Sequence, residues 1–219
     1  MAHAYFDIAY TPSVRAAQAA NGSRDFWTNF KGKKENDRFT AAEAEFIATR
    51  DSFYMASVSE TGWPYVQHRG GPQGFLRVID DKTLAFPDFR GNRQYISVGN
   101  VAANDRVALF LMDYPHQRRL KIYAHIEAKD LAADPTLAEQ LTTPGYPAKI
   151  ERAFVLHLKG FSWNCPQHIT PRFTETEIDA ALTPVRARIA QLEAENKMLR
   201  DKLGIAASEQ DNGEQHAGR

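Results

Sequence analysis

The sequence predicts a mainly β fold: six or so antiparallel strands forming a small closed or nearly closed barrel, with flanking helices and a C-terminal coiled-coil helix. Three observations predict it. Between about residues 52 and 163, short runs rich in aromatic and β-branched residues are separated by turn signals. Helical stretches do not alternate with these strands, which argues against a doubly wound α/β fold. Beyond the last strand the apolar period changes to a heptad. A β-sandwich fits the same strand pattern and stays open as an alternative.

Residues 1–39 read as an irregular arm with a short helix near 13–20 and a basic run, Lys31–Lys34, that could contact a phosphate but is better explained as a solvated turn. Thr40 with Glu43 forms a capping box that starts a helix ending near Arg50. Ser52–Ser59 and Pro64–Arg69 flank Glu60-Thr61-Gly62-Trp63 as a hairpin. Strands follow at 75–79 and 83–87, and Gln94–Val101 is a short helix or turn across a barrel end. Arg106–Tyr114 and Leu120–Glu127 are further strands. Residues 128–144 look helical, with a start at Asp134-Pro135. The last strand, Ala153–Trp163, carries a bulge near Gly160. The expected domains are thus the arm, a barrel over 40–173, a helix over 174–204 and a disordered tail over 205–219.

Composition narrows the function. Of 219 residues, 43% are hydrophobic and 25% charged, ordinary for a globular chain. Lys plus Arg and Asp plus Glu number 27 each, so no net charge draws the chain to nucleic acid or an anionic membrane. A phosphate site must therefore be local. Lone Cys165 gives no intrachain disulfide. The N-terminus has no signal-peptide pattern and no stretch is long enough to span a membrane, so the expected address is cytoplasmic.

The C-terminal segment predicts a parallel homodimer. Thr174 and Glu177 form a second capping box. Leu182, Ile189, Asn196 and Leu203 occupy heptad position a, and Ile178, Val185, Leu192 and Leu199 occupy d. One Asn at a fixes register in parallel pairs. Arg188 at g would face Glu193 at e of the partner, and Glu195 would face Arg200. The strip spans only about four heptads, so it clamps a dimer that has other contacts. Pro184 either kinks this helix or marks its start near Thr183.

Metal-binding spacings, phosphate-binding P-loops and nucleophile elbows are absent, so no metal is expected and no catalytic residue is assigned. Cys165 with His168 could make a nucleophile and base, but a structural thiol is the simpler state. Four polar groups at strand ends and Gly-rich loops stand out: Gln67-His68-Arg69-Gly70-Gly71, Asp88–Gln94, His116–Lys121 and Trp163–His168. Arg can grip a phosphate bidentately, Asn or Gln can read a heterocycle's edge, and Trp can cover its ring. Singly, each group also reads as solvated surface.

Over roughly residues 40–170 the chain resembles the pyridoxamine 5′-phosphate oxidase-related family of FMN-binding split barrels. The resemblance rests on the order of the opening helix, SFYMASVSETGWPYVQHRGG, LAFPDFRGNRQYIS, VALFLMDY and RRLKIYAHIEA. It implies FMN in a cleft between two protomers. By resemblance, Gln67, His68 and Arg69 run beside the ring and ribityl chain, and Asn92, Arg93 and Gln94 hold the phosphate, Arg93 foremost. Arg119, or equally Arg118, lies near the ring edge, and Asn100 helps close the site. Trp163, Asn164, Gln167 and His168 are the other protomer's contribution. The segment Asn164–Phe173 departs from the basic substrate-reading segment of the biosynthetic oxidase, although Arg172 could serve a phosphorylated substrate. The implied function is an FMN-dependent oxidoreductase acting on a small organic substrate or nicotinamide. The alternatives are the deazaflavin F420 as cofactor, a non-catalytic flavin or haem binder, and a purely structural dimer.

Overall fold

The computed structural model describes residues 3–30, 35–163 and 166–204. The basic run Lys31–Lys34, Asn164, Cys165 and the expected tail at 205–219 lie outside them. The chain divides into two units at Pro171/Arg172.

In the first unit the arm forms three helices, α1 (Ala4–Ala9), α2 (Pro12–Ala20) and α3 (Arg24–Asn29). Only α2 matches the helix expected near 13–20. The other two are too short to show a period. They are held instead by ring contacts: Phe6 stacks on Tyr10 at 4.9 Å and meets Trp27 edge-on at 5.4 Å. Next comes α4 (Ala41–Ala48), with the expected Thr40/Glu43 capping box in place.

The strands are β1 (Ser52–Val58), β2 (Pro64–Gly70), β3 (Arg77–Val78) and β4 (Thr83–Phe89). After α5 (Ile96–Ala103) come β5 (Arg106–Asp113) and β6 (Arg118–Lys129). A 3-10 turn at Leu131–Ala133 and α6 (Pro135–Leu141) lead to β7 (Ile150–Trp163). Asp134 caps α6 by accepting the Leu137 N–H at 3.0 Å. The helical reading of 128–144 therefore began too early, because Ala128 and Lys129 still pair with Phe154 and Ala153.

Among the described residues the seven strands form one antiparallel sheet in the order β2-β1-β5-β6-β7-β4-β3, which excludes the sandwich. Six are long; the seventh, β3, pairs at two residues only because Phe75 and Leu76 turn into the core before it. The sheet rolls without closing. Phe53 of β1 meets Phe86 of β4 edge-on at 5.2 Å, although three strands stand between them in the sheet. That contact is possible only if the apolar face is wrapped inward. The enclosed core includes Met55, Leu109, Leu111, Leu120, Ile122, Phe154 and Phe161. Each such side chain contributes roughly 1.5–3 kcal/mol by leaving water.

The bulge expected near Gly160 is present. Tyr123 pairs with Gly160 but Ala124 with Leu158, leaving Lys159 as the extra residue. Gly160 also has a packing role. A Cβ there would lie 2.6 Å from the Tyr5 backbone nitrogen, so only glycine lets α1 lie on β7. Tyr5 then stacks on Tyr123 at 4.6 Å.

The second unit contains α7 (Glu175–Leu203), with the expected Thr174/Glu177 box at its start and Gly204 in the left-handed conformation at its end. Pro184 lies within the helix, so the helix does not begin near Thr183. The a and d side chains are exposed. No helix among the described residues is long and apolar enough to cross a membrane.

Two expectations test this packing. Glu43 is buried; its carboxylate accepts the Thr40 N–H at 2.9 Å and the Trp163 indole N–H at 2.8 Å, joining α4 to the end of β7. Burial alone would raise its pKa, but these hydrogen bonds outweigh it and hold the group below the ordinary 4.5. A depressed acid contributes stability above the unfolded pKa and loses it as pH falls through the folded one. Glu43→Gln is thus expected to cost about 1–2 kcal/mol in urea unfolding at neutral pH. The difference should shrink as pH drops below 4.5, where the native carboxyl also protonates. Gly160→Ala should displace α1, detectable as faster chymotryptic cleavage at Phe6 and Tyr10.

Candidate functional site

A strand at the open edge of a rolled sheet has no partner covering half of its inward face, and β2 fills that face with polar residues. Tyr65, Gln67 and Arg69 pair in register with Ser57, Met55 and Phe53 and so share the core-facing side. The gap between β2 and the end of β4 is the cleft. It is lined by Tyr65, Gln67, Arg69, Asp88, Phe89, the loop Gly91–Tyr95, the start of α5 and Glu151.

Arg69 reaches across the gap to Asp88 at 2.8 Å, and Arg152 of β7 lies 3.3 Å from the other carboxylate oxygen. The Arg69 and Asp88 side chains are only 12% and 8% exposed. The Arg69 guanidinium lies over the Phe154 and Phe86 rings at 5.4 and 5.8 Å. Its Nε is buried without a hydrogen-bond partner. On the opposite wall, Arg90 binds Glu151 at 2.8 Å, and the Tyr95 hydroxyl donates to the same carboxylate at 3.3 Å.

The loop entering α5 is unusual for non-glycine residues. Arg93 and Tyr95 both have positive φ, 63° and 53°, and the Gln94 N–H is held by Asn92 Oδ1 at 3.1 Å. No side chain caps α5, and its first backbone bond runs from Gly99 to Tyr95. The N–H groups of Ile96, Ser97 and Val98 therefore stand ahead of that bond, at the positive end of the helix. The Ser97 hydroxyl donates to Gln67 Oε1 at 2.8 Å, which leaves the Gln67 NH₂ as a donor. Guanidinium, amides and helix amides together suit an oxyanion on a polar stem.

The structure thus brings together Gln67, Arg69, Asn92, Arg93 and Gln94. It does not bring the remaining candidates to this cleft. His68 is on the other face of β2, edge-on to Tyr54 at 5.5 Å, because neighbouring strand residues alternate. Asn100 is buried, and its amide donates to Ser57 Oγ at 3.1 Å, fixing α5 to β1. Arg118, Arg119 and Trp163 line a second cleft with Asn36, Ala42, Glu43, His116, Gln117 and Pro166. The two clefts share no lining residue. Gln167 and His168 occupy an exposed turn, His168 with φ of 62°. Asn164 lies outside the described residues.

Sequence reasoning passed over Tyr65, Ser97, Glu151 and Arg152. Tyr65 was findable, since period two from Arg69 through Gln67 leads to it. The others depend on strands and a helix that meet only when the sheet rolls. Among the described residues no group of three His, Cys, Asp or Glu side chains is placed to hold a metal ion.

The fold is similar to an FMN-binding protein from Syntrophomonas wolfei subsp. wolfei, at 13% identity over 70% of this chain and 95% of the other, with a TM-score of 0.44. It is similar to a protein from Clostridium acetobutylicum related to general stress protein 26 of the pyridoxinephosphate oxidase family, at 16% identity over 63% and 94%, with a TM-score of 0.44. An F420 reductase is similar at 22% identity over 54% and 94%, with a TM-score of 0.38. No curated protein matches the chain. The sequence profile of the family described as pyridoxamine 5′-phosphate oxidase matches residues 39–153, more than half of the chain, from the residue before the capping box to the first third of β7. The chain belongs to the pyridoxamine 5′-phosphate oxidase family.

Proposed function

We propose that the cleft at the open edge binds FMN and that the protein is an FMN-dependent oxidoreductase acting as a homodimer on a small organic substrate or nicotinamide. The observation that carries this reading is the left-handed Arg93–Tyr95 loop feeding an uncapped helix N-terminus opposite Gln67 and Arg69. The donor set fits a flavin phosphate. Arg93 and the first-turn amides of α5 would hold it, and Asn92 sets the loop that presents them. The Gln67 amide, aimed by Ser97, would orient the ribityl chain or ring. When bound, the flavin supplies the electron or hydride transfer. The protein's part is to bind it, orient it and keep water from its ring.

The placement of the site residues supports the homodimer. Arg119 and Trp163 line a different cleft from Arg93, and His68 belongs to a different sheet face from Gln67. These groups would meet one flavin when they come from different protomers. The exposed heptad stripe of α7 supplies a specific clamp, with Asn196 setting register and opposite charges at g and e.

Two experiments test this. The purified protein should show a flavin band or quench added FMN saturably. Arg93→Ala should weaken FMN by roughly 10- to 100-fold, the worth of one charge-assisted contact. A colourless protein that never quenches FMN refutes the cofactor. Faster reduction of bound than of free FMN by a nicotinamide supports the oxidoreductase; retained FMN that no donor reduces favours a carrier. For the clamp, Leu199→Cys in a Cys165→Ser background should form an interchain disulfide under mild oxidation, as a parallel in-register pair requires. Asn196→Leu should broaden the oligomer distribution in sedimentation. No disulfide and no change in sedimentation would refute the parallel clamp.

A further inference from the structure

The turn from β5 to β6 builds a second polar site. Asp113 is buried, and its carboxylate accepts the His116 backbone N–H at 3.2 Å. The same carboxylate lies 2.9 and 3.1 Å from His116 Nδ1. Arg50, just after α4, is 3.7 Å from Asp113 and donates to the Met112 carbonyl at 2.9 Å. A carboxylate can only accept here, so Nδ1 carries the proton. The His116 side chain is 73% exposed.

The neighbouring cations lack counter-charges. Arg118 lies over the Trp163 and Phe46 rings at 4.8 and 5.2 Å. No carboxylate lies within ion-pair distance of Arg118 or Arg119 among the described residues, and Arg119 Nε is buried without a partner. The two acids of the site are already engaged. Glu43 accepts from Thr40 and Trp163, and Asp113 from His116. Gln117, at φ of 53°, closes the wall by donating to the Ile169 carbonyl at 2.6 Å. The unpaired Arg118 guanidinium and the Asp113-held imidazole, around a cleft with an indole wall, are arranged for an oxyanion on a small organic body.

We infer that this cleft binds the carboxylate or phosphate group of the substrate, with Arg118 as the guanidinium grip and His116, held by Asp113, beside it on the cleft wall. The assignment of the anion as substrate rests on the oxidoreductase reading; the binding itself does not.

The test uses the full chain without added flavin, with ¹³C-labelled histidine, and inorganic phosphate or acetate added separately. His116→Gln identifies the signal. The His116 ring signal should move saturably with one or both anions, and which one distinguishes a phosphate from a carboxylate substrate. Arg118→Ala should weaken that response at least about tenfold. A signal that is unmoved, moves without saturating, or saturates equally in Arg118→Ala overturns the site. FMN titration of the same sample separates the two proposals. FMN binding with a silent His116 refutes only the oxyanion site, and a saturating His116 without FMN binding refutes only the cofactor.

Discussion

The ion pair between Arg69 and Asp88 is the constraint around which the fold is arranged, because it spans the one gap that the backbone does not close. Strands β2 and β3 are the ends of the sheet, and no ladder joins them. Across this opening, β2 is tied to β4 by a buried guanidinium–carboxylate contact of 2.8 Å, and Arg152 ties the same carboxylate to β7. Taking such charges out of water is costly unless they are paired, and removing one partner would strand the others. The two rings beneath Arg69 and the shared use of Asp88 supply that compensation. A closed barrel would need none of this, but it would also have no cleft.

The cleft and the core are consequences of one geometry. Wrapping the sheet brings Phe53 against Phe86 and buries the apolar faces of β1, β4, β5, β6 and β7. At the open edge β2 has nothing apolar to meet, so its inward positions carry Tyr65, Gln67 and Arg69. Helix α5 covers them with Ser97 and Asn100, two buried polar residues on one helix face, each hydrogen-bonded to the first hairpin. The left-handed residues before α5 cost conformational energy, and such strain persists where surrounding structure enforces it. Here Asn92 and Glu151 do so, holding the loop from either side.

The second cleft follows a different logic. Its cations are positioned by aromatic rings and by a turn, while both nearby carboxylates are spent on structural bonds. Glu43 serves the helix cap and the anchor of β7 at once, so a change at the cleft floor is also a change in how α4 docks.

Much of this was legible in the residues. The strand runs, both capping boxes, the bulge at Gly160 and the heptad after residue 174 are local patterns, each fixed by chemistry within a few positions. Arg93, Asn92 and Gln94 were legible as one group for the same reason: they are consecutive. Where the reading fell short, the deciding contacts were distant in sequence. Helices α1 and α3 depend on rings contributed by each other, and β3 shortens because Phe75 and Leu76 turn inward. His68 was grouped with Gln67 and Arg69 by adjacency, yet the pleat sends it to the opposite face. Arg119 was placed near the flavin ring edge by resemblance, yet it lines another cleft from Arg69. The sequence by itself determined which segments are strands, where helices start and which loop could cradle an anion, because propensity, capping and periodicity are short-range. Only the tertiary structure decided which polar residues share a cleft, because rolling the sheet sets the facing of each side chain and places Arg69 against an aspartate nineteen positions away.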